Sequence, residues 1–238
     1  MAAAVVRYFN LIMFQTDATT MEVVGEDTAV TDFSDMSINF RHNSGTTFDT
    51  QESTTYNNLL AATTTLKVTH TALTVLPPGT KFTNLATLDI TGCSNIIQVP
   101  TDYGTHDGVN PGTLTTLLVS GTKLSSIPST FNGLVRLDVS NCKRISSAGS
   151  ATLETLLMSH SSITELVATG ALKRLVALNT KITSIPSAPN LQVVMWSGGA
   201  NATLAIVDAT AVVHILTTGA VTAITGASAS TEVTSITL

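Results

Sequence analysis

Residues 114–186 read LTTLLVSGTKLSSIPSTFNGLVRLDVSNCKRISSAGSATLETLLMSHSSITELVATGALKRLVALNTKITSIP. The same phrase recurs there: an L-x-x-L-x-L-like run, a small polar residue, a further apolar pair and often a proline. Copies begin at Leu114 (with Leu117, Val119, Thr122, Leu124, Ile127, Pro128), Leu134 (Leu137, Val139, Cys142, Ile145), Leu153 (Leu156, Met158, Ser161, Ile163, Leu166) and Leu172 (Leu175, Ala177, Thr180, Ile182, Ile185, Pro186). Working outward, two earlier copies fit at Leu66 and Leu85. With the second apolar position as marker, Leu137, Leu156, Leu175 and Val194 follow one another at intervals of 19, and one more step lands on Val213. A fixed period near 20 residues marks a repeat architecture in which each unit buries its apolar face only against its neighbours, so the chain is expected to be a solenoid.

Alternation within L-x-L is the period-2 mark of a strand, which sends Leu137 and Val139 inward and Asp138 outward. One short strand per unit, about nine in all, would stack in parallel at roughly 4.8 Å per step. Only a dozen or so residues remain for the return path, marginal for a helix, so turns and extended pieces are expected there. Leu76-Pro77, Val99-Pro100, Ile127-Pro128 and Ile185-Pro186 close four of these returns, where no ladder N–H is needed. The residue leaving each strand reads Thr71, Cys93, Thr122, Cys142, Ser161, Thr180, Gly199, Thr218. Short polar side chains there can satisfy backbone groups that lose ladder partners at the corner. The two cysteines, two units and so roughly 10 Å apart, exceed the roughly 7 Å Cα limit of a disulfide, which predicts two free thiols.

These motifs resemble the leucine-rich-repeat family, with short repeats of about 19 to 23 residues and Thr, Cys or Ser in place of the usual Asn. The resemblance covers residues 63–238, is strong from Leu66 to Pro186, and is degenerate after about residue 190. It implies a mostly β leucine-rich-repeat solenoid with a parallel concave sheet and a helix-poor convex side. Residues 1–62 are not a repeat. Their strand-like pieces, Val5 to Phe14 and Met36 to Arg41, fit an N-terminal β segment that caps the first unit, because a terminal repeat otherwise exposes its core.

With 43% hydrophobic and only 11% charged residues, against about 25% in ordinary soluble domains, the surface must be unusually neutral. The net charge of −5 is unevenly spread: eight acids face two bases over residues 1–60, and nine bases face six acids over 61–181. From Ile182 onward Asp208 and Glu232 are the only charges, which suggests that this end is covered by another protein. No run of 18 apolar residues predicts a membrane span, and Arg7 within an otherwise apolar start makes a poor secretory signal. Strand-like Val233, Ile236 and Leu238 are expected to form an edge open to pairing with another chain, including a second copy.

On the concave surface, where the resemblance places partner binding, the outward residues Lys67, Asp89, Leu118, Asp138, Leu157, Val176, Met195 and His214 run from polar to oily. Together with Leu178, Val193 and Leu216, the residues Leu157, Val176 and Met195 would make one exposed apolar patch, the mark of an interaction site. Trp196 falls at an inward position. Between the second and third units the markers Leu88 and Leu117 stand 29 apart, and the surplus TDYGTHDGVNPG is expected to protrude as a loop in which Tyr103, His106 and Asp107 could touch a ligand.

Chemistry finds little support. The five histidines are scattered, no Cys/His spacing suits zinc, and no cofactor or metal site is predicted. Asp89 and Asp138 face out two rungs apart, a separation roughly compatible with a carboxylate pair for sugar hydrolysis, but no aromatic platform accompanies them. Phosphate loops, nucleophile elbows and basic nucleic-acid stripes are absent from the sequence. The expectation is a non-enzymatic scaffold component of a larger assembly, such as a virion or surface layer, with other proteins as partners. The alternative is a recognition module, an adhesin or effector gripping a protein or glycan on its concave face.

Overall fold

A computed structural model describes residues 11–25, 38–41, 48–50, 54–69, 72–76, 79–106, 110–111, 113–167, 169–197, 202–208, 214–217, 221–225 and 232–235. Its backbone is a stack of rungs. Among the described residues, nine parallel strands, from Thr65–Val68 through Thr87–Asp89, Thr116–Leu118, Arg136–Asp138, Thr155–Leu157, Arg174–Ala177, Val193–Trp196 and His214–Thr217 to Glu232–Ser235, lie side by side in chain order. Leu66, Leu88, Leu117, Leu137, Leu156, Leu175, Val194, Ile215 and Val233 occupy one row across all nine.

The last full step departs from the 19-residue beat. Ile215, not Val213, pairs with Val194, so the middle position of that rung is Leu216, and His214 stands beside Val193. Two extra residues are taken up on the return path, where spacing is loosely constrained; within the sheet, hydrogen bonding allows no such slack.

Residues before the repeats extend the same sheet. Thr20–Gly25 pairs in parallel with Thr65–Val68, Leu11–Gln15 pairs antiparallel with Thr20–Gly25, and Ile38–Arg41 followed by Phe48–Thr50 completes that end. The Thr20–Gly25 and Phe48–Thr50 strands and the short helix Thr54–Ala62 carry no repeat signature and add to the two strands expected in this segment. Met21 and Val23 are buried and continue the apolar row, which closes the core of the first rung. Positions 5–10, 36 and 37 of the anticipated strands, and Ile236 and Leu238, lie outside the described residues.

Inside the stack, Leu88, Leu117, Leu156, Leu175 and Val194 are fully buried, and Leu137 nearly so. Val119, Val139, Met158 and Ala177 form the second inward row. Full burial of each large side chain contributes about 1.5–3 kcal/mol. Trp196 is also fully enclosed.

Five successive rungs, from Thr87–Asp89 to Arg174–Ala177, turn out of the sheet through a left-handed residue. Gly92 and Gly121 take it with φ of 80° and 76°, and Asn141, His160 and Asn179 with 59°, 57° and 53°. This is the row where asparagine and glycine belong, one residue before the Thr/Cys/Ser row. An L side chain pays roughly 1–2 kcal/mol there, relieved for Asn by local hydrogen bonding. Asn141→Ala is therefore expected to cost about 1 kcal/mol and Asn141→Gly close to nothing, measurable as a shift in the urea midpoint. Equal losses for both would assign the effect to the side chain rather than the backbone.

The return side is helix-poor, as anticipated, but it also carries short parallel ladders. Ser147–Ala148 pairs with Glu165–Leu166, and Ser184–Ile185, Ala202–Ile206 and Val221–Thr225 form a three-stranded sheet. In the inserted segment, Thr105–His106 and Asn110–Pro111 form a two-stranded hairpin. The 3-10 turn Thr101–Gly104 at its base docks on another, Gly79–Lys81: Asp102 Oδ2 accepts the N–H groups of Gly79 at 2.9 Å and Thr80 at 3.3 Å. Gly79 must be glycine, since a Cβ would come within 2.6 Å of the Tyr103 amide nitrogen.

Candidate binding face

The middle residues of successive rungs form one lateral row on the outward face of the large sheet: Glu22, Lys67, Asp89, Leu118, Asp138, Leu157, Val176 and Met195, with Leu216 and Thr234 continuing the backbone register. At its polar end, the Lys67 ammonium lies 3.5 Å from the Glu22 carboxylate. Asp89 Oδ1 accepts the Thr91 N–H at 3.0 Å and Asp138 Oδ1 accepts the Ser140 N–H at 2.9 Å, so both carboxylates brace the turn of their own rung. Leu118 stands between them in the row. The pair is thus structurally occupied and has a bulky aliphatic residue in its midst.

Beyond Asp138 the row turns apolar. Leu157, Val176 and Met195 are half-buried, while their chain neighbours Leu156, Leu175 and Val194 are sealed in the core. A slip of one residue would reverse this, so the burial pattern fixes the face. Val193 and Leu178 are also half-buried. In the adjoining row, Arg136 and Arg174 are exposed and sit on the same side as Val193. The Leu216 backbone places it next to Met195, in the middle row rather than in the flanking row that the 19-residue beat implied.

The inserted loop fares differently. Tyr103 is only 4% exposed and stacks on Phe82, with ring centroids 6.1 Å apart. It anchors the hairpin in the core and is not presented to a ligand; a lone aromatic among turn formers is as readily a plug as a contact residue. His106 lies in the hairpin strand, and Asp107 lies outside the described residues. Val233 aligns with Ile215 in the final strand.

The corner row behaves as an internal ladder. Cys93 Sγ lies 3.3 Å from the Val68 carbonyl oxygen, Cys142 Sγ 3.2 Å from that of Val119, and the Thr122 hydroxyl donates to the Val119 carbonyl at 2.8 Å. Thr180 repeats the last bond to Ala177 at 3.0 Å. Both cysteines are free and fully buried. Burial, reinforced by Asp89, pushes the Cys93 thiol up to about 11, and burial raises Cys142 as well. A thiolate is the reactive form, so neither cysteine is expected to react with a thiol reagent at pH 7 until the protein unfolds. A pKa higher in the folded state than in the unfolded one means stability held below about pH 9 and lost as the pH rises toward 11. Labelling followed by intact mass, with and without urea, checks the first point. Stoichiometric native labelling would refute it.

Among the described residues, no three His, Cys, Asp or Glu side chains converge as a metal site would require, and no helix is long and apolar enough to cross a membrane. What the molecule presents is a parallel β-solenoid, mostly β, with one mixed polar-to-apolar sheet face. No protein-family model matches the sequence, and no curated protein matches it. Among solved structures, the chain is similar to the functional domain of InlJ from Listeria monocytogenes, which includes a cysteine ladder, at 17% identity and a TM-score of 0.36. The match covers 69% of this chain and 50% of that one, so the chain spans half the length of its structural neighbour.

Proposed function

We propose that the protein is a non-enzymatic binding solenoid that seats a neighbouring protein on the apolar half of its sheet face, as a scaffold component of a larger assembly. The observation that carries this is the unbroken run of half-buried Leu157, Val176 and Met195 on three hydrogen-bonded strands. Side chains held in rows by a rigid sheet lose little freedom on binding, so their apolar area is available for association. Exposed Arg136 and Arg174 along one margin favour a partner with an acidic rim. The chain from Ile182 onward holds only Asp208 and Glu232 as charges, a composition suited to burial against a neighbour.

A recognition module acting alone is the second reading, favoured by the same patch. Sedimentation separates the two: a scaffold component self-associates or co-assembles as concentration rises, and a free recognition module stays monomeric. For the site itself, a photo-crosslinking amino acid at position 176 is expected to capture a partner in the native source, whereas one at Lys123, exposed away from the patch, is not. Equal capture at both positions would overturn the assignment of the face.

A further inference from the structure

On the return side, a cleft of about 450 Å³ opens between two successive rungs. One bank is formed by Ser125, Ser126 and Ser129 and the other by Ser146, Ser147 and Ser150, with Phe131 and Leu153 among the residues beneath. Its size falls within the range of ligand pockets, and among the described residues no ionisable side chain lines it.

The cleft exists because the return-side ladder stops there. Ser146 and Ala148 offer their carbonyls to the following rung, accepting from Thr164 N at 3.0 Å and Val167 N at 3.0 Å. Alternation along a strand then turns the Ser147 N–H and C=O the other way, toward the cleft. Among the described residues, no backbone hydrogen bond joins residues 125–129 to residues 146–150. Gly149 shows the cause. With φ of 143° it is pressed so close to the next rung that a Cβ would sit 1.7 Å from the Val167 carbonyl oxygen. The segment is drawn toward one neighbour and away from the other.

We propose that this cleft takes an extended, uncharged peptide strand, which pairs with the free edge of Ser147–Ala148. The open backbone edge supplies main-chain hydrogen bonds, the usual source of affinity in strand addition. The apolar floor takes one alternate side chain of the peptide, and the serine hydroxyls accommodate its polar neighbours. A charged side chain has no counter-ion there and would be desolvated at a cost. The occupied side of the same strand shows the fit: Glu165–Leu166 pairs in parallel, with Leu166 buried and Glu165 turned to solvent.

The test uses the full chain, isotopically labelled, with a capped Ser-Ile-Thr-Val-Thr-Ser peptide as probe. Saturable shifts are expected at the Ser147 and Ala148 amides. Ser147→Pro deletes the N–H that faces the cleft and spares the ladder on the other side, so it should weaken binding about tenfold with unchanged circular dichroism. Should that variant fail to fold, Ser126→Trp, at an exposed position on the opposite bank, fills the cleft and must have the same effect. The proposal fails if no shifts occur or if both folded variants bind as the parent does. It fails equally if a peptide N-methylated at alternate residues, or the disaccharide trehalose, gives the same saturable shifts.

Discussion

Leu156→Ala is expected to lower the unfolding free energy by about 2–5 kcal/mol, and Leu157→Ala, one residue further on, by about 1 kcal/mol. The two side chains are chemically identical and share one strand, Thr155–Leu157. Leu156 is fully buried between Leu137 and Leu175, so truncation leaves a cavity that the hydrogen-bonded rungs on either side cannot collapse to fill. Leu157 is half-buried on the outward face and loses only part of its transfer free energy. In a solenoid each rung is held by its two neighbours alone, so a weakened rung in the middle also weakens the coupling between the two ends. Loss of a single sharp transition is therefore an additional signature for Leu156→Ala. Urea denaturation measures both; equal losses would mean that the sheet presents a different face.

Val176→Asp should leave folding close to intact and reduce partner binding by about thirtyfold or more, the loss typical of a central hot spot. Val176 sits between Leu157 and Met195 in the outward row, at the centre of the apolar run. In the free protein an aspartate there stays hydrated, and Asp138 shows that a carboxylate is tolerated two rungs earlier in the same row. In a complex it would be stripped of water against an apolar surface with no counter-charge, since the arginines lie along the margin. Titration against the crosslinked partner, once captured, is the measurement. A folded variant with undiminished binding would remove this face from the interface.

Much of this architecture is written in the period. The spacing of Leu137, Leu156 and Leu175 specified the stacked rungs, the inward and outward rows, and the enclosure of Trp196. These follow because strand alternation is an inflexible two-residue rule, and because only one alignment of rungs buries the row from Leu66 to Val194. The position of the apolar run was legible for the same reason: it occupies the alternate positions of the same strands. The period misled where the return path absorbed extra residues, at the step from Val194 to Ile215.

Other features depend on which rungs meet in space. Nothing in the composition of residues 11–25 distinguishes a capping strand from a separate element; pairing of Thr20–Gly25 with Thr65–Val68 decides it. Tyr103 stands among turn-forming residues and yet packs on Phe82, a partner 21 positions earlier that only the docking of the two 3-10 turns supplies. The serine-lined cleft likewise joins two segments of unremarkable sequence, and it opens beside Gly149, whose missing Cβ lets its rung close on the next. The sequence by itself determined what repeats and which side of each strand is apolar, because both are local and periodic. The tertiary structure alone decided which strand lies on the first rung, the buried tyrosine and the gap between rungs, because each arises from contacts between segments that carry no shared period.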